Sequence, residues 1–390
     1  MSRASDVIVI GRGPAGLLVS SLVVEQGGQV DMIADGLGTL PLWGGQFDFR
    51  SYDNDRKPVA DPWAWWHRFG DTHPGGSVSA QMWRSWWQHL RDLWFTMEIP
   101  TEKLLPTKNR GTVTPLGRIK PAFLVPTWQF TQEYAGAITL VGVPDLVDFP
   151  VEAMARVYTW TTGMTAEIRW LERSPSWRPG WNGLNWAWYL DTEEGRRWLW
   201  EQVKSFRRGS APLVFPQILG VDHTESLIEV LGELWGRGVA EIPLPPPSVG
   251  GLRLQRRWER WLRRKGVRLV QGRVKEIGGD FAALEGRRIH GGHVVLATGG
   301  VLGGGLEVLI DGQVRDRLMG LSLGVVKEPE DLASIGYRSW LEPTRVAGSA
   351  LAGCDPNRHG DGGAMMLLTS HAVFSAVSGQ EGRLEHAGRF

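Results

Sequence analysis

"SDVIVIGRGPAGLLVSSLVVEQGG", residues 5–28, reads as a strand, a glycine turn and a helix, and its reading decides the fold. Val7, Ile8, Val9 and Ile10 form an apolar run too short for a helix and rich in β-branched residues, which predicts a buried parallel strand. Gly11, Gly13 and Gly16 follow in G-x-G-x-x-G spacing, with Pro14 and Ala15 between the last two. The first glycine permits the tight turn, the second lets backbone approach a phosphate, and the third lets helix and strand pack closely. The helix N-terminus there favours an anion. A second apolar run, "VDMIA" (30–34), stands where the next parallel strand should lie. This context predicts a nucleotide site rather than an unoccupied βα turn.

Composition narrows the function classes. The 390 residues suffice for one large or two smaller domains, and 43 Lys plus Arg against 42 Asp plus Glu give no global charge that would seek nucleic acid. A single cysteine, Cys354, excludes an intrachain disulfide and any cysteine-built iron–sulfur site within the chain, and fits a reducing, cytoplasmic compartment. No uninterrupted apolar stretch of about eighteen residues predicts a membrane span.

The 21 tryptophans cluster in "DPWAWWHRF", "MWRSWWQHLRDLWF" and "WRPGWNGLNWAWYL". Trp83, Trp86, Trp87, Leu90 and Trp94 share one helical stripe, which reads as a face packed on the chain's own core, with a docking surface as its other use. Residues 61–245 are expected to form an inserted, tryptophan-rich cap or docking domain, with "AITLVGV" and "PLVFPQILG" as strands, closing at "IPLPPPSVGG". In the next helix Leu254, Trp258, Trp261 and Leu262 share a face, while Arg253, Arg256, Arg257, Arg260, Arg263 and Arg264 read as a largely solvated basic face.

"HVVLATGGVLGGGLEV" (293–308) predicts a strand that runs through Ala297 into Thr298, Gly299 and Gly300. Such a late return to the first glycine turn favours a flavin enzyme over a nicotinamide one, because the glycines let backbone pass close to a bound group. Farther on come a loop with Gly353 and Asp355 and a closing helix that starts near Gly362 and Gly363. In flavoproteins of this architecture such a helix aims its N-terminus at the pyrimidine end of the isoalloxazine. The expected architecture is a doubly wound α/β flavin or dinucleotide-binding fold, assembled from residues 1–60, 246–310 and 340–390. Candidate bases are His359 and His371, and Arg358 or Arg345 could meet an anionic group.

"VTPLGRIKPAFLVP" (113–126), "ITLVGVPDLVDF" (138–149), "PPPSVGGLRLQ" (245–255), "VVLATGGVLGGGL" (294–306) and "VAGSALAGCDP" (346–356) follow the glycine fingerprint in this order. The chain thereby resembles the B subunit of anaerobic glycerol-3-phosphate dehydrogenase, nearly end to end. The resemblance implies a flavoprotein component of a complex that oxidises sn-glycerol 3-phosphate to dihydroxyacetone phosphate, or relays its electrons, with a quinone as acceptor. It further implies FMN here, an FAD-bearing A subunit, an iron–sulfur C subunit with the membrane attachment, and a peripheral place at the cytoplasmic face of the inner membrane. No nucleic acid partner is expected. The alternatives are a cofactor-free structural subunit that keeps the fold and a flavin-fold protein acting on RNA.

FMN is favoured over FAD by one position. Dinucleotide folds end their second strand in an acid that holds the adenosine ribose. Here the spacing puts Ala34 at that position and Asp35 one residue later, where the side chain would turn away or act from the loop.

Overall fold

The computed structural model describes residues 5–65, 75, 76, 78–132, 136–207, 209–328, 335–337, 345–351 and 356–379. Gly353 and Asp355 lie outside the described residues. The chain divides into two compact units, one of residues 1–39, 48–93 and 256–390, the other of residues 40–47 and 94–255.

In the first unit β1 (Ser5–Ile10) leads through the glycine turn into α1 (Pro14–Glu25) and on to β2 (Val30–Ala34). α1 is apolar on every side, and Leu17, Leu18 and Val19 are wholly buried, so this helix is core rather than surface. β1 lies between β2 and the strand Arg287–Leu296, both parallel to it. Arg268–Gln271 extends the parallel sheet beyond β2, and Arg345–Val346 pairs with the far end of Arg287–Leu296.

Register matters more here than strand count. Ile10 pairs with both Ile33 and Leu296, and Leu296 pairs with Val346, so the carboxyl ends of four strands finish level. Gly11, Ala34, Ala297 and Ala347 therefore form one row, where ligands bind in open parallel α/β sheets. The expected α/β dinucleotide-binding architecture is present, with the glycine turn at the carboxyl edge of its parallel sheet.

The tryptophan helix, Ala80–Thr96, buries its stripe: Trp83, Trp87, Leu90 and Trp94 are fully covered and Trp86 nearly so. Phe49 sits 5.3 Å from the rings of both Trp83 and Trp87 and 4.9 Å from Trp63, in tilted and edge-on contacts that aromatic quadrupoles favour. The stripe is thus core, and residues 48–93 group with the first unit, whereas the sequence reading placed residues 61–245 in one insert.

The second unit has a parallel sheet of its own, in the order Ala166–Trp170, Ile138–Gly142, Leu213–Pro216, Val239–Ile242. The helices Val151–Thr162, Gly183–Leu190, Glu193–Ser205 and Thr224–Trp235 connect these strands. Arg253, counted among the solvated arginines, is fully buried there against Glu241. Arg256, Arg260, Arg263 and Arg264 are exposed, as the amphipathic pattern predicts. Trp258 of the same helix is buried in the first unit, where its indole N–H donates to Ser21 Oγ at 2.8 Å. No helix among the described residues is long and apolar enough to cross a membrane.

Candidate functional site

The glycine turn and the end of the strand Arg287–Leu296 are built against each other. Gly11 has φ +108°, and a Cβ added to it would stand 2.1 Å from the Ala297 carbonyl oxygen. A Cβ on Gly16 would stand 2.2 Å from the Gly11 oxygen and 3.2 Å from Ala297 Cβ. Only glycine fits at either position, so helix, turn and returning strand close to backbone contact. The sheet continues into the turn, since Gly11 N–H donates to Ile33 O at 2.8 Å and Ala297 N–H to Ile10 O at 2.8 Å.

α1 starts in this junction at Gly13. No side chain caps it, and no acidic residue occupies its first turn. Its leading N–H groups are therefore left for an anion. Thr298 brings its backbone nitrogen beside Gly11, while its buried Oγ1 lies toward Gly305, where an added Cβ would stand 2.5 Å from it. Gly299, at φ +79°, turns the chain away, and Gly300 N–H is held by Ser349 Oγ at 2.9 Å. Gly348 packs on Ala15 and donates its N–H to Thr369 of the closing helix at 2.9 Å.

The closing helix, Gly362–Val377, meets α1 through Ser370 Oγ, which donates to Ala15 O at 3.3 Å. Its N-terminus, with Gly362 and Gly363, is anchored on residues 48–54. Ala364 N–H donates to Asp48 O at 3.1 Å, and Ser51 and Tyr52 donate to the His359 carbonyl. The N-cap Asp361 is buried with Arg50, at 3.5 Å, and Arg50 also donates to Asn54 Oδ1 at 2.9 Å. Burial holds the Arg50 guanidinium below its ordinary pKa, and Asp361 works in the opposite direction. His359 Nδ1 lies 3.8 Å from Asp361, whereas Arg358 is exposed.

The two expected histidines thus differ. His359 stays beside the Arg50–Asp361 pair, while His371 faces the tryptophan helix, stacked on Trp86 at 4.7 Å and 10°. Burial, with His89 adding to it, pushes the His371 pKa down to about 3. His89 lies 6.0 Å away and bonds Glu25 at 2.7 Å. A buried imidazole of this kind binds its proton less readily folded than unfolded. Its contribution to stability is complete above about pH 6.5 and is lost as pH falls toward 3. His371→Phe should therefore flatten the fall in the urea midpoint between pH 6.5 and 4; an unchanged slope would show that His371 does not titrate on unfolding.

Arg50, Asp48, Asp361, Ser349 and Thr369 were not foreseen as site residues. The available signal was "FDFRSYD" (47–53), in which charged residues alternate with aromatic ones just after a Gly-Gly pair. Asp35 is exposed, and its carbonyl accepts from Gln271 Nε2 at 2.8 Å, while Ala34 ends β2 at the row of strand ends. Among the described residues no group of three or more His, Cys, Asp or Glu gathers to hold a metal.

The chain is 26% identical over 353 residues to the B subunit of anaerobic glycerol-3-phosphate dehydrogenase from Pectobacterium carotovorum, covering 83% of this chain and 81% of that one. It is 22% identical over 431 residues to the protein of that name from Yersinia pestis, covering 95% and 97%. Among solved structures, glycine oxidase from Geobacillus kaustophilus aligns over 100% of this chain and 99% of its own, at 12% identity and a TM-score of 0.39. No protein-family model matches. The chain is a distant homologue of the anaerobic glycerol-3-phosphate dehydrogenase B subunits.

Proposed function

We propose that this chain is a flavin-binding subunit of a quinone-linked complex that oxidises sn-glycerol 3-phosphate to dihydroxyacetone phosphate. The observation that carries the reading is the junction of the glycine turn with the Ala297–Gly299 strand end, where backbone closes without room for a Cβ and the start of α1 carries no side-chain cap. This cradle fits a phosphate-bearing flavin. Ala15 and Gly16, at the start of α1, would offer N–H groups to the phosphate. Gly362 and Gly363 would present the N-terminus of the closing helix to the ring system, with the Arg50–Asp361 pair holding that terminus in place. The bound flavin would supply the acceptor for the substrate's hydride.

Ala34 at the end of β2 favours FMN over FAD, because no strand carboxylate is present there to hold an adenosine ribose. His359, beside Asp361, is the better placed of the two histidines to handle a substrate proton, since His371 faces Trp86. Partner subunits would carry FAD, iron–sulfur clusters and the attachment to the cytoplasmic face of the membrane. The relatives' names as B subunits support a multi-subunit complex, and the single cysteine supports an iron–sulfur site outside this chain.

The test is the purified chain itself. Its visible spectrum should show oxidised-flavin bands, and acid release should yield FMN near one per chain by mass. A colourless, folded protein that takes up no added flavin would overturn the proposal.

A further inference from the structure

The second residue of the glycine turn is an arginine, and its side chain reaches the place that the missing β2 acid would serve. Arg12 Nε donates to the carbonyl of Gly36, two residues beyond Ala34, at 2.5 Å. Its Nη1 lies 3.5 Å from Glu259, a nearly buried carboxylate that also meets Arg263 at 3.5 Å. The Gly36–Thr39 loop is pressed onto the same turn. A Cβ on Gly38 would stand 2.6 Å from Arg12 O and 2.7 Å from Gly13 N and Cα. Arg12 thus ties the turn, the loop after β2 and Glu259 into one knot at the carboxyl end of β2.

That location has a definite meaning in a dinucleotide fold. The adenosine ribose lies at the carboxyl end of β2, where an acid accepts from its hydroxyls. Here the acid is replaced by Ala34, and a guanidinium with its charge already answered by Glu259 stands close by. A planar fork of five donors offers no acceptor to a ribose diol, and its partners hold it in place. The start of α1, in contrast, has no side-chain cap and no acid in its first turn.

We infer that Arg12 is a specificity-determining residue: it fills the adenosine end of the site and restricts the glycine turn to a mononucleotide. This inference rests on the flavin reading above and goes beyond it by naming the residue that excludes the second nucleotide.

The experiment compares the wild-type chain with Arg12→Ala/Ala34→Glu, which removes the guanidinium and restores the strand acid. The cofactor is identified by mass after release, and the affinities of the stripped proteins for FMN and FAD are measured by quenching of flavin fluorescence. The inference expects FMN in the wild type and an FAD-to-FMN affinity ratio at least about tenfold higher in the double variant, as one restored charge-assisted bond to the ribose would give. FMN in the wild type with an unchanged ratio in the variant would overturn the role of Arg12 while leaving the flavin reading intact. Stoichiometric FAD in the wild type would overturn the role of Arg12 and the choice of FMN together, and no flavin at all would overturn the functional reading. Should the double variant fail to fold, Arg12→Gln/Ala34→Glu, which keeps a donor of shorter reach, answers the same question.

Discussion

Arg253→Met is expected to lower the stability of the second unit by about 3–5 kcal/mol, because it leaves Glu241 charged and buried with no counter-charge. Both side chains are wholly covered. Arg253 donates from Nη1 and Nη2 to the two Glu241 oxygens and from Nε to Gly220 O at 2.8 Å, and its guanidinium lies 5.4 Å from the Trp128 ring. Glu241 Oε1 also accepts from Leu219 N–H at 2.7 Å, so the carboxylate fastens the loop that leaves the strand Leu213–Pro216. This arrangement makes a second variant informative. Adding Glu241→Gln to Arg253→Met removes the stranded charge yet keeps an oxygen for Leu219, and it should recover much of the loss. The urea midpoint, followed by circular dichroism, measures both. If the single and double variants are equally destabilised, the penalty comes from lost packing on Trp128 and not from the orphaned charge.

The misplacement of Arg253 shows where reading the sequence stops. Six arginines on one helix look alike until a partner is known, and Glu241 lies twelve residues upstream on another element. A glutamate inside the short apolar strand "VAEI" was the available signal, since a buried charge demands a counter-charge. The parallel sheet of the second unit was half visible for a related reason. Its central strands, Ile138–Gly142 and Leu213–Pro216, are continuous apolar runs, because both of their faces are covered. The edge strand Ala166–Trp170 is largely half-exposed and mixes polar with apolar residues, which hides it in a single sequence. The nucleotide-type unit was legible because its signals are local. Strand, glycines and helix follow one another within residues 5–25, and the glycines stand where backbone meets backbone. The Arg50–Asp361 pair joins residues 311 positions apart, and no local pattern announces it.

Gly11→Ala should abolish flavin binding and destabilise the first unit by several kcal/mol. Two costs add at this position. The backbone stands at φ +108°, a region that side-chain-bearing residues hold only at a cost of about 1–3 kcal/mol. The new Cβ would also stand 2.1 Å from the Ala297 carbonyl oxygen and 2.7 Å from its carbon, so the returning strand must withdraw, and forced repacking of this kind typically costs about 1–3 kcal/mol more. That withdrawal would carry Thr298 with it and open the junction assigned to the flavin. Gly27→Ala separates the two costs. Gly27 has φ +81°, and a Cβ there would meet nothing within 4 Å, so its variant suffers the backbone cost alone and should keep its flavin. The comparison is made by thermal midpoint and by flavin content after gel filtration. Equal losses in the two variants, with flavin retained in both, would show that the close approach of turn and strand is not what holds the cofactor.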